Sequence, residues 1–425
     1  MLLGGCAVAA PEPPGRSPAP SSALTASAVA SPSPTPIPTP LPDALAAALA
    51  KVSAKAIGSR GQVVLTEDAQ ILAAVNADRP LTPASSLKVL STLATLDALG
   101  ADHRFTTSVV ATAPDKLVLV GGGDPLLTDK TSKSAAKPAS LQQLAAQTVA
   151  ALKASGVTKV RLGYDASLFS GPSFSPDWKK SWKEYEARIG ALVVDSGRIN
   201  AWQAQPNPAK FAATAFAKRL KAAKITVTGI TPTTLATPGS VLASVQSAPL
   251  ATVIARTLAY SDNLAAEVLL RQAALAAGRP GSFVGASQTL IAWLKANGLW
   301  TDGMVIVDAS GLAPKNRVTA GVLARAISLS LRTERLLPVA TGLPVAGQSG
   351  TLKERFDDKS ERAGVGRVHA KTGTLRGVAS LAGWVTTADG ARLIFAFVGN
   401  ATATQTGAYN WLDRSASVLA GCGCR

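Results

Sequence analysis

Ser85 and Lys88 lie three positions apart at the start of a predicted apolar helix, and their side chains could do chemistry together. Residues i and i+3 share one face of a helix, so the Lys88 amine can reach the Ser85 hydroxyl. The positive end of the helix favours a developing alkoxide and disfavours a protonated lysine. A partly buried lysine can then take the proton of the serine. Taken alone, a helix-capping serine followed by a surface lysine is the commoner explanation of this spacing.

The tripeptide Ser261-Asp262-Asn263 falls between two predicted long helices. A hydroxyl at this point can pass a proton to a leaving group, and a side-chain amide can bind both a substrate and a catalytic lysine. In isolation, the same tripeptide is more often a turn in which an Asx side chain caps the following helix.

The run Lys-Thr-Gly-Thr at residues 371–374 is predicted at the end of an apolar strand, where a turn begins. Lys371 would set a positive potential over a pocket, and Gly373 would let a substrate backbone approach closely. The Thr374 hydroxyl can bind a carboxylate, and its backbone N–H can contribute to an oxyanion hole. An ordinary strand-end turn is the alternative explanation.

The composition narrows the chemistry further. The 425 residues include only two histidines, His103 and His369, and three cysteines. A Ser-His-Asp hydrolase would depend on one of those histidines, and neither HExxH nor paired CxxC motifs occur. The sequence therefore predicts no catalytic metal and no cofactor, and it favours a lysine or a carboxylate as the base of any hydrolase. Cys422 and Cys424 could form a strained disulfide, bind metal weakly or stay free.

The chain is strongly basic, with 43 lysines and arginines against 26 acidic residues. Such a charge favours polyanions such as nucleic acid, anionic lipid or the acidic polymers of a cell wall. The basic residues form no dense run or aromatic-interleaved stripe of the kind that binds nucleic acid. The richest patch, residues 179–188, is interrupted by Glu184 and Glu186. We therefore predict a solvated surface there and no nucleic-acid partner.

Residues 1–42 are predicted to be a tether rather than a folded domain. Residues 3–6, Leu-Gly-Gly-Cys, are similar to a lipobox, which makes Cys6 a candidate for membrane anchoring, but only five residues precede it. Either a longer signal lies upstream or the apolar start is a coincidence. Residues 11–42 are mostly Pro, Ser, Ala and Thr, a composition typical of a semi-extended spacer. No later segment offers an uncharged apolar run long enough to span a bilayer.

The rest of the chain carries helix and strand patterns. Apolar periodicity predicts two long helices beside the Ser-Asp-Asn tripeptide and further helices over 43–49, 85–99, 141–153, 211–223 and 409–419. Strands are predicted over 62–65, 71–75, 108–111, 117–120, 159–162, 225–227, 365–371, 378–385 and 393–398. The elements between residues 105 and 248 are short and mixed, which predicts an inserted α+β region.

The three motifs follow one another in the order SxxK, SxN and KTG, and this set resembles the penicillin-binding proteins and serine β-lactamases. Longer runs narrow the resemblance to the class C low-molecular-mass penicillin-binding proteins, which are D-Ala-D-Ala carboxypeptidases of peptidase family S13. It covers residues 45–420. The runs that carry it are Pro-Ala-Ser-Ser-Leu-Lys (83–88), Gly-Gly-Gly-Asp-Pro (121–125), Ser-Asp-Asn-Leu (261–264), Asp-Ala-Ser-Gly-Leu (308–312), Gly-Thr-Leu (350–352) and Ala-Lys-Thr-Gly-Thr (370–374).

The resemblance implies an α/β (α+β) fold. Residues 43–104 and 249–425 would form a transpeptidase-like catalytic domain, an antiparallel sheet with helices. Residues 105–248 would be a large insertion of one or two subdomains. The implied activity is a serine D-Ala-D-Ala carboxypeptidase that acts on peptidoglycan stem peptides in the cell envelope, secreted or lipid-anchored, and that β-lactams acylate.

The same resemblance assigns roles to the motif residues. Lys88 would take the proton of Ser85, which attacks the carbonyl between the two D-alanines. The N–H groups of Ser85 and Thr374 would hold the oxyanion. Ser261 would relay the proton to the departing amine, and Lys371 would tune that hydroxyl.

Four residues are implied in substrate binding. Asn263 would position the substrate, and the hydroxyls of Thr372 and Thr374 would receive its terminal carboxylate. Arg376, just after the KTGT run, either helps to recognise an acidic stem peptide or is simply exposed to solvent.

Four other functions stay open at this stage. A D,D-endopeptidase acting on peptidoglycan cross-links would use the same chemistry. A class A β-lactamase would need a separate carboxylate base, and no ExxLN-like run occurs. A non-catalytic wall-binding scaffold would not need intact motifs. A nucleic-acid binder is suggested by charge alone.

Overall fold

The computed structural model describes residues 39–184, 186–235 and 239–423. The helices are α1 (Pro42–Ala50), α2 (Leu87–Leu99), α3 (Leu141–Ala154), α4 (Pro208–Ala222), α5 (Leu250–Tyr260), α6 (Asn263–Ala276), α7 (Phe283–Ala296), α8 (Ala320–Arg332), α9 (Leu337–Thr341) and α10 (Gln405–Ala420). The strands are β1 (Ile57–Thr66), β2 (Ile71–Val75), β3 (Thr106–Ala113), β4 (Lys116–Val120), β5 (Lys159–Asp165), β6 (Arg198–Asn200), β7 (Gln203–Ala204), β8 (Thr226–Pro232), β9 (Ser240–Gln246), β10 (Val368–Leu375), β11 (Val378–Thr386) and β12 (Arg392–Thr402).

The first sheet has five antiparallel strands in the order β10-β11-β12-β1-β2, so the two ends of the folded chain meet at its centre. Side chains of a strand alternate between the two faces of a sheet. In β12, Ile394 and Ala396 accordingly join a core that α2 and α8 share, whereas Phe395 and Phe397 pack with Trp411 of α10. The sheet is therefore buried between two layers of helices.

The second sheet lies entirely within residues 106–246 and has the order β8-β5-β4-β3-β9. β4, β5 and β8 pair in parallel, and parallel neighbours need a crossover, which α3 and α4 provide. Phe216 and Leu220 of α4 and Leu144 of α3 bury the face of this sheet. The described residues from 39 onward belong to one compact unit, so the predicted boundaries at 105 and 248 stay a prediction.

The segment that follows β5 leaves the second sheet and packs against helices α6 and α7. Phe174 and Trp178 pack with Val268 of α6 and Phe283 of α7. Arg271, fully buried in α6, donates to the carbonyl of Pro172 at 3.3 Å. The region predicted as an insertion therefore contacts α7 and also α6, the helix that begins at Asn263 of the Ser-Asp-Asn tripeptide.

The helices and strands predicted from the sequence all appear, and one assignment was wrong in a way that affects the site. The strand predicted over residues 365–371 begins at Val368 and continues to Leu375, so residues 371–374 lie inside β10 instead of in a turn. Lys371 pairs with Ala382 and Leu375 with Val378, and the turn comes at Arg376 and Gly377. The prediction failed because Thr-Gly-Thr resembles turn composition, although Thr also suits strands.

Cys422 is disulfide-bonded, whereas Cys6, Cys424 and residues 1–38 lie outside the described residues. Among the residues that the structure describes, we find no helix that combines the length and the apolar character needed to cross a bilayer.

Candidate active site

Ser85 lies in a single 3-10 turn, Ala84–Ser86, that leads directly into α2. Ala84 has a left-handed φ of +49°, a conformation that costs energy for a residue with a Cβ and that is often found at functional sites. The two serines of the turn differ. Ser86 is fully buried and its hydroxyl donates to the Pro83 carbonyl at 2.7 Å, whereas Ser85 is partly exposed. Ser85 is therefore the hydroxyl that a substrate can reach.

Lys88 is completely buried one turn after Ser85, and its Nζ atom has three acceptors. These are Ser85 Oγ at 2.9 Å, Asn263 Oδ1 at 2.7 Å and the Ser310 carbonyl at 2.8 Å. An ammonium group has three hydrogens, so every donor of Lys88 is used and the side chain has one orientation. The structure thus brings the serine and the lysine of the first motif together with the asparagine of the second.

Burial lowers the pKa of Lys88 from 10.5 to about 8, because an ammonium ion loses its hydration there. The negative charges of Asp308, Glu267, Asp262 and Glu186 act in the opposite direction and keep the pKa from falling further. One pKa unit is a factor of ten in the protonation ratio, so about a tenth of Lys88 is neutral near pH 7. A neutral amine can accept the serine proton.

The loop of residues 308–313 holds the third acceptor of Lys88. Asp308 is fully buried and accepts from four groups, the backbone N–H groups of Gly311 and Ala313 and the side chains of Trp178 and Asn316. One such bond, from the Trp178 indole at 2.9 Å, comes from the region predicted as an insertion.

Glu267 of α6 also holds the loop of residues 308–313 in place. It accepts from the N–H groups of Ala309 and Ser310 at 3.0 and 2.9 Å. Burial and the neighbouring charge of Asp308 raise the pKa of Glu267 to about 7. The sequence included residues 308–312 in the family resemblance without a role for them, and Glu267 carried no signal at all. Their position now shows that they orient the Ser310 carbonyl toward Lys88.

The second motif occupies the break between α5 and α6. Ser261 ends α5 in the left-handed region, with φ +56°, and is partly exposed. Asp262 caps α6 by accepting from the Ala265 N–H at 3.0 Å, so the capping explanation of this tripeptide is correct for the aspartate. Asn263 is the first residue of α6, which places its amide against Lys88.

Glu186 is a site residue that the sequence analysis missed. The prediction of a solvated surface over residues 179–188 is wrong for this side chain, because both of its carboxylate oxygens lie 3.5 Å from Asn263 Nδ2. Burial raises the pKa of Glu186, while Asn263 and Lys88 lower it. Asn263 therefore connects Lys88 on one side with a carboxylate on the other. Glu186 and Asn263 are far apart in the sequence, so a local sequence pattern cannot indicate that their side chains are in contact.

Lys371 of the third motif is fully buried on β10, and its Nζ atom donates to the Thr372 carbonyl at 2.8 Å. Burial, followed by repulsion from Lys88, holds the pKa of Lys371 well below its usual value. The Thr372 hydroxyl lies 2.8 Å from that of Thr351, in the Gly-Thr-Leu run for which the sequence suggested no role.

Gly373 explains why β10 can lie so close to the Ser85 turn. A Cβ atom at this position would lie 2.7 Å from the Pro83 carbonyl oxygen and 3.0 Å from the Ser86 nitrogen. Any other residue would therefore force the strand and the turn apart. The backbone that approaches Gly373 in the structure is that of residues 83–86, on either side of Ser85, and the close approach of a substrate backbone stays a prediction.

β10 is an edge strand whose first half, Val368 to Ala370, is covered by residues 344–346, so only its second half can pair with a peptide. The N–H of Ala370 points to that edge, where it donates to the Pro344 carbonyl at 2.9 Å. Backbone N–H groups alternate between the two edges of a strand, so those of Thr372 and Thr374 point the same way. Thr374 is exposed there, and Arg376 is exposed in the following turn.

A partly exposed serine, a buried lysine and an open strand edge form a site that can support acyl transfer through a serine ester. Residues 43–207 and 200–417 match the D-Ala-D-Ala carboxypeptidase 3 (S13) family. The chain is 36% identical to carboxypeptidase DacB of Mycolicibacterium smegmatis over 364 residues, which cover 81% of this chain and 76% of that protein. A carboxypeptidase of Mycobacterium tuberculosis is 35% identical over 362 residues, covering 82% of this chain and 77% of that protein. The chain belongs to the D-Ala-D-Ala carboxypeptidase S13 family, as the motifs predicted.

The fold is also that of a solved penicillin-binding protein. Penicillin-binding protein 4 of Haemophilus influenzae superposes with a TM-score of 0.74 at 21% identity, over 86% of this chain and 97% of that one. The predicted architecture of an antiparallel sheet with helices in a penicillin-binding-protein fold is therefore confirmed.

Proposed function

We propose that this protein is a serine D-Ala-D-Ala carboxypeptidase that trims peptidoglycan stem peptides through an acyl-enzyme on Ser85. Membership of the S13 family supports the reaction class. The observation that carries the residue assignment is the position of Lys88, which is buried, has a lowered pKa and donates to the hydroxyl of Ser85 at 2.9 Å. Burial and geometry together give a base that is matched to neutral pH.

The proposed acylation begins when neutral Lys88 takes the Ser85 proton and Ser85 Oγ bonds to the carbonyl carbon between the two D-alanines. The N–H groups of Ser85 and Thr374 stabilise the negative oxygen that forms. Ser261 then gives its hydroxyl proton to the nitrogen of the terminal D-alanine as the carbon–nitrogen bond breaks, and it takes the proton held by Lys88 in return, which leaves Lys88 neutral again. Water attacks the resulting ester while Lys88 takes one of its protons, and Lys88 returns that proton to Ser85 Oγ as the shortened peptide leaves.

Binding depends on the strand side of the cleft. A peptide that pairs with the open edge of β10 would place its terminal carboxylate near the hydroxyls of Thr372 and Thr374, while Asn263 binds the acyl part. The buried Lys371 contributes positive potential behind them. A penicillin carries a carboxylate and a strained amide in a similar arrangement, so we expect it to acylate Ser85 and leave slowly.

Labelling with a fluorescent penicillin tests the nucleophile. We expect Ser85→Ala to lose the label completely and Ser86→Ala, a matched change in the same turn, to keep it. Equal labelling of the wild type and Ser85→Ala would overturn the assignment. Release of D-alanine from a stem pentapeptide then tests the activity, and a cross-linked dimer of stem peptides offered in parallel measures any D,D-endopeptidase activity.

We further propose that the enzyme works outside the cytoplasmic membrane, where its substrate is, and that a lipid on Cys6 anchors it. The support for anchoring is the lipobox-like run at residues 3–6 together with the spacer-like composition of residues 11–42. In a bacterial host, Cys6→Ser should move the protein from the membrane fraction to the soluble fraction. An unchanged distribution would leave the carboxypeptidase assignment intact and remove the anchor.

A further inference from the structure

The exposed threonine of the third motif has a partner on the far side of the sheet. Thr374 Oγ1 lies 3.0 Å from the hydroxyl oxygen of Tyr409, which belongs to the first turns of α10. This contact matters because a threonine hydroxyl has a single hydrogen. If that hydrogen is given to Tyr409, it is not available to a substrate.

We infer that Tyr409 is a positioning residue that donates its hydroxyl hydrogen to Thr374 and so aims the Thr374 hydrogen at the substrate's terminal carboxylate. The inference rests on the proposed function, in which Thr374 receives that carboxylate. A carboxylate only accepts hydrogen bonds, so the threonine must be the donor toward the substrate. Thr374 must then accept the hydrogen bond from Tyr409, so only one of the two possible donor–acceptor arrangements of this pair supports substrate binding.

Arg355 and Asp413 hold the tyrosine ring in place. The Arg355 guanidinium lies over the ring of Tyr409, 4.4 Å from its centroid, at a distance typical of a cation–π contact. Arg355 Nε donates to Asp413 Oδ2 at 2.8 Å, and a second guanidinium nitrogen contacts the other carboxylate oxygen. Both side chains of this ion pair are nearly buried, at 12% and 5% exposure, which favours a fixed geometry over a solvated one.

The spacing along α10 explains why the three groups form a unit. Tyr409 and Asp413 are four residues apart and therefore lie on the same face of the helix. Arg355, which follows the Gly-Thr-Leu run, spans both of them. Asp413 neutralises most of the arginine charge, so Arg355 chiefly restrains the ring. The part of the positive charge that Asp413 does not neutralise lies over the Tyr409 ring and makes its hydroxyl a stronger hydrogen-bond donor.

A pair of substrates that differ only at the carboxylate tests the inference. One is an N-acyl-D-alanine depsipeptide whose leaving group ends in a free carboxylate, and the other has that carboxylate capped as an amide. For Tyr409→Phe we expect KM for the free acid to rise about 3- to 10-fold, the loss expected for one hydrogen bond. We expect kcat to change by less than about 2-fold and the capped substrate to be hydrolysed as before.

Two further variants make the result specific. In Thr374→Val the preference for the free acid should largely disappear, and adding Tyr409→Phe to it should change nothing more, since the second residue acts through the first. Tyr164→Phe, a buried tyrosine of β5, is the matched control and should keep wild-type constants.

Two outcomes would overturn the inference. One is an equal loss on both substrates in Tyr409→Phe, which would mark a general structural role. The other is an unchanged preference for the free acid. Because the phenyl ring keeps its contact with Arg355, thermal unfolding should remain close to wild type. A wild-type enzyme that penicillin does not label would contradict the proposed function instead, so the two failures are distinguishable.

Discussion

The two walls of the cleft both contain a fully buried lysine, but they surround it differently. The helical wall, formed by α2, α6 and the loop of residues 308–313, places Lys88 among the carboxylates Asp308, Glu267, Asp262 and Glu186. On the strand wall, β10, the charged group that acts most on Lys371 is Lys88 itself. Burial lowers both pKa values, and only Lys88 has negative charges that limit the fall to about 8.

This difference separates proton chemistry from anion recognition. A base must exchange its proton near neutral pH, so its pKa has to be balanced between burial and nearby charge. A recognition site needs donors and positive potential without carboxylates that would repel the substrate's own. The strand wall meets that need with backbone N–H groups and hydroxyls backed by one lysine. We therefore expect substitutions on the helical wall to change rate and pH dependence, and those on the strand wall to change affinity.

Lys88→Met should have the largest effect. Methionine fills a similar volume but cannot take the Ser85 proton, and general-base catalysis is worth about 10²- to 10⁴-fold. We expect the second-order rate constant for acylation by penicillin to fall by that factor. Stopped-flow or gel-based labelling measures it, with circular dichroism to show that the fold is intact. Acylation at the wild-type rate would exclude Lys88 as the base.

Lys371→Met should have a smaller and more selective effect. The variant keeps the base and the nucleophile but removes the positive charge behind the two threonines. We expect kcat/KM for a substrate with a free terminal carboxylate to fall about 10- to 100-fold, as for the loss of a buried interaction with a charged group. The carboxamide analogue should lose much less. An equal loss for both substrates would place Lys371 in proton transfer. It would contradict the assignment of proton transfer to the helical wall and of anion recognition to the strand wall.

How far the sequence could predict the site depended on whether a residue's role is local. Ser85 and Lys88 lie one turn apart, and residues 371–374 are consecutive, so a short motif is enough to identify each of these groups. The motif order also led to the family and to the fold. The residues that act between elements could not be found in this way. Glu186 was read as part of a solvated surface, because its partner Asn263 is 77 residues away.

The same limit explains two other gaps. Thr351 and Tyr409 each reach a threonine of β10 from a different element. The run that contains Thr351 carried the family resemblance without a role, and Tyr409 lies in none of the motifs. Strand length was misjudged at residues 371–374 because the pairing partner, β11, rather than local composition, keeps the chain extended. Local patterns therefore predicted the reacting groups, while the groups that orient them required the tertiary structure.

The smallest effect we predict concerns the link between Glu186 and the helical wall. Glu186 raises the pKa of Lys88 through its negative charge, so Glu186→Gln should lower that pKa further from its value of about 8. Acylation requires neutral Lys88, which means that the acidic limb of the pH–rate profile should shift to lower pH. We expect a shift of about 0.3 to 0.8 units, since Glu186 is only partly shielded from solvent.

The rate of acylation by penicillin should be measured between pH 5.5 and 9 for the wild type and for each variant. Glu184→Gln is the matched control, because Glu184 lies two residues away in the same basic patch and is exposed. It should leave the profile unchanged. A shift of the limb to higher pH in Glu186→Gln would contradict the electrostatic role. A lower rate at every pH, with the acidic limb in its wild-type position, would instead mean that Glu186 only orients Asn263. The pKa of Lys88 would then be raised by Asp308, Glu267 and Asp262 alone.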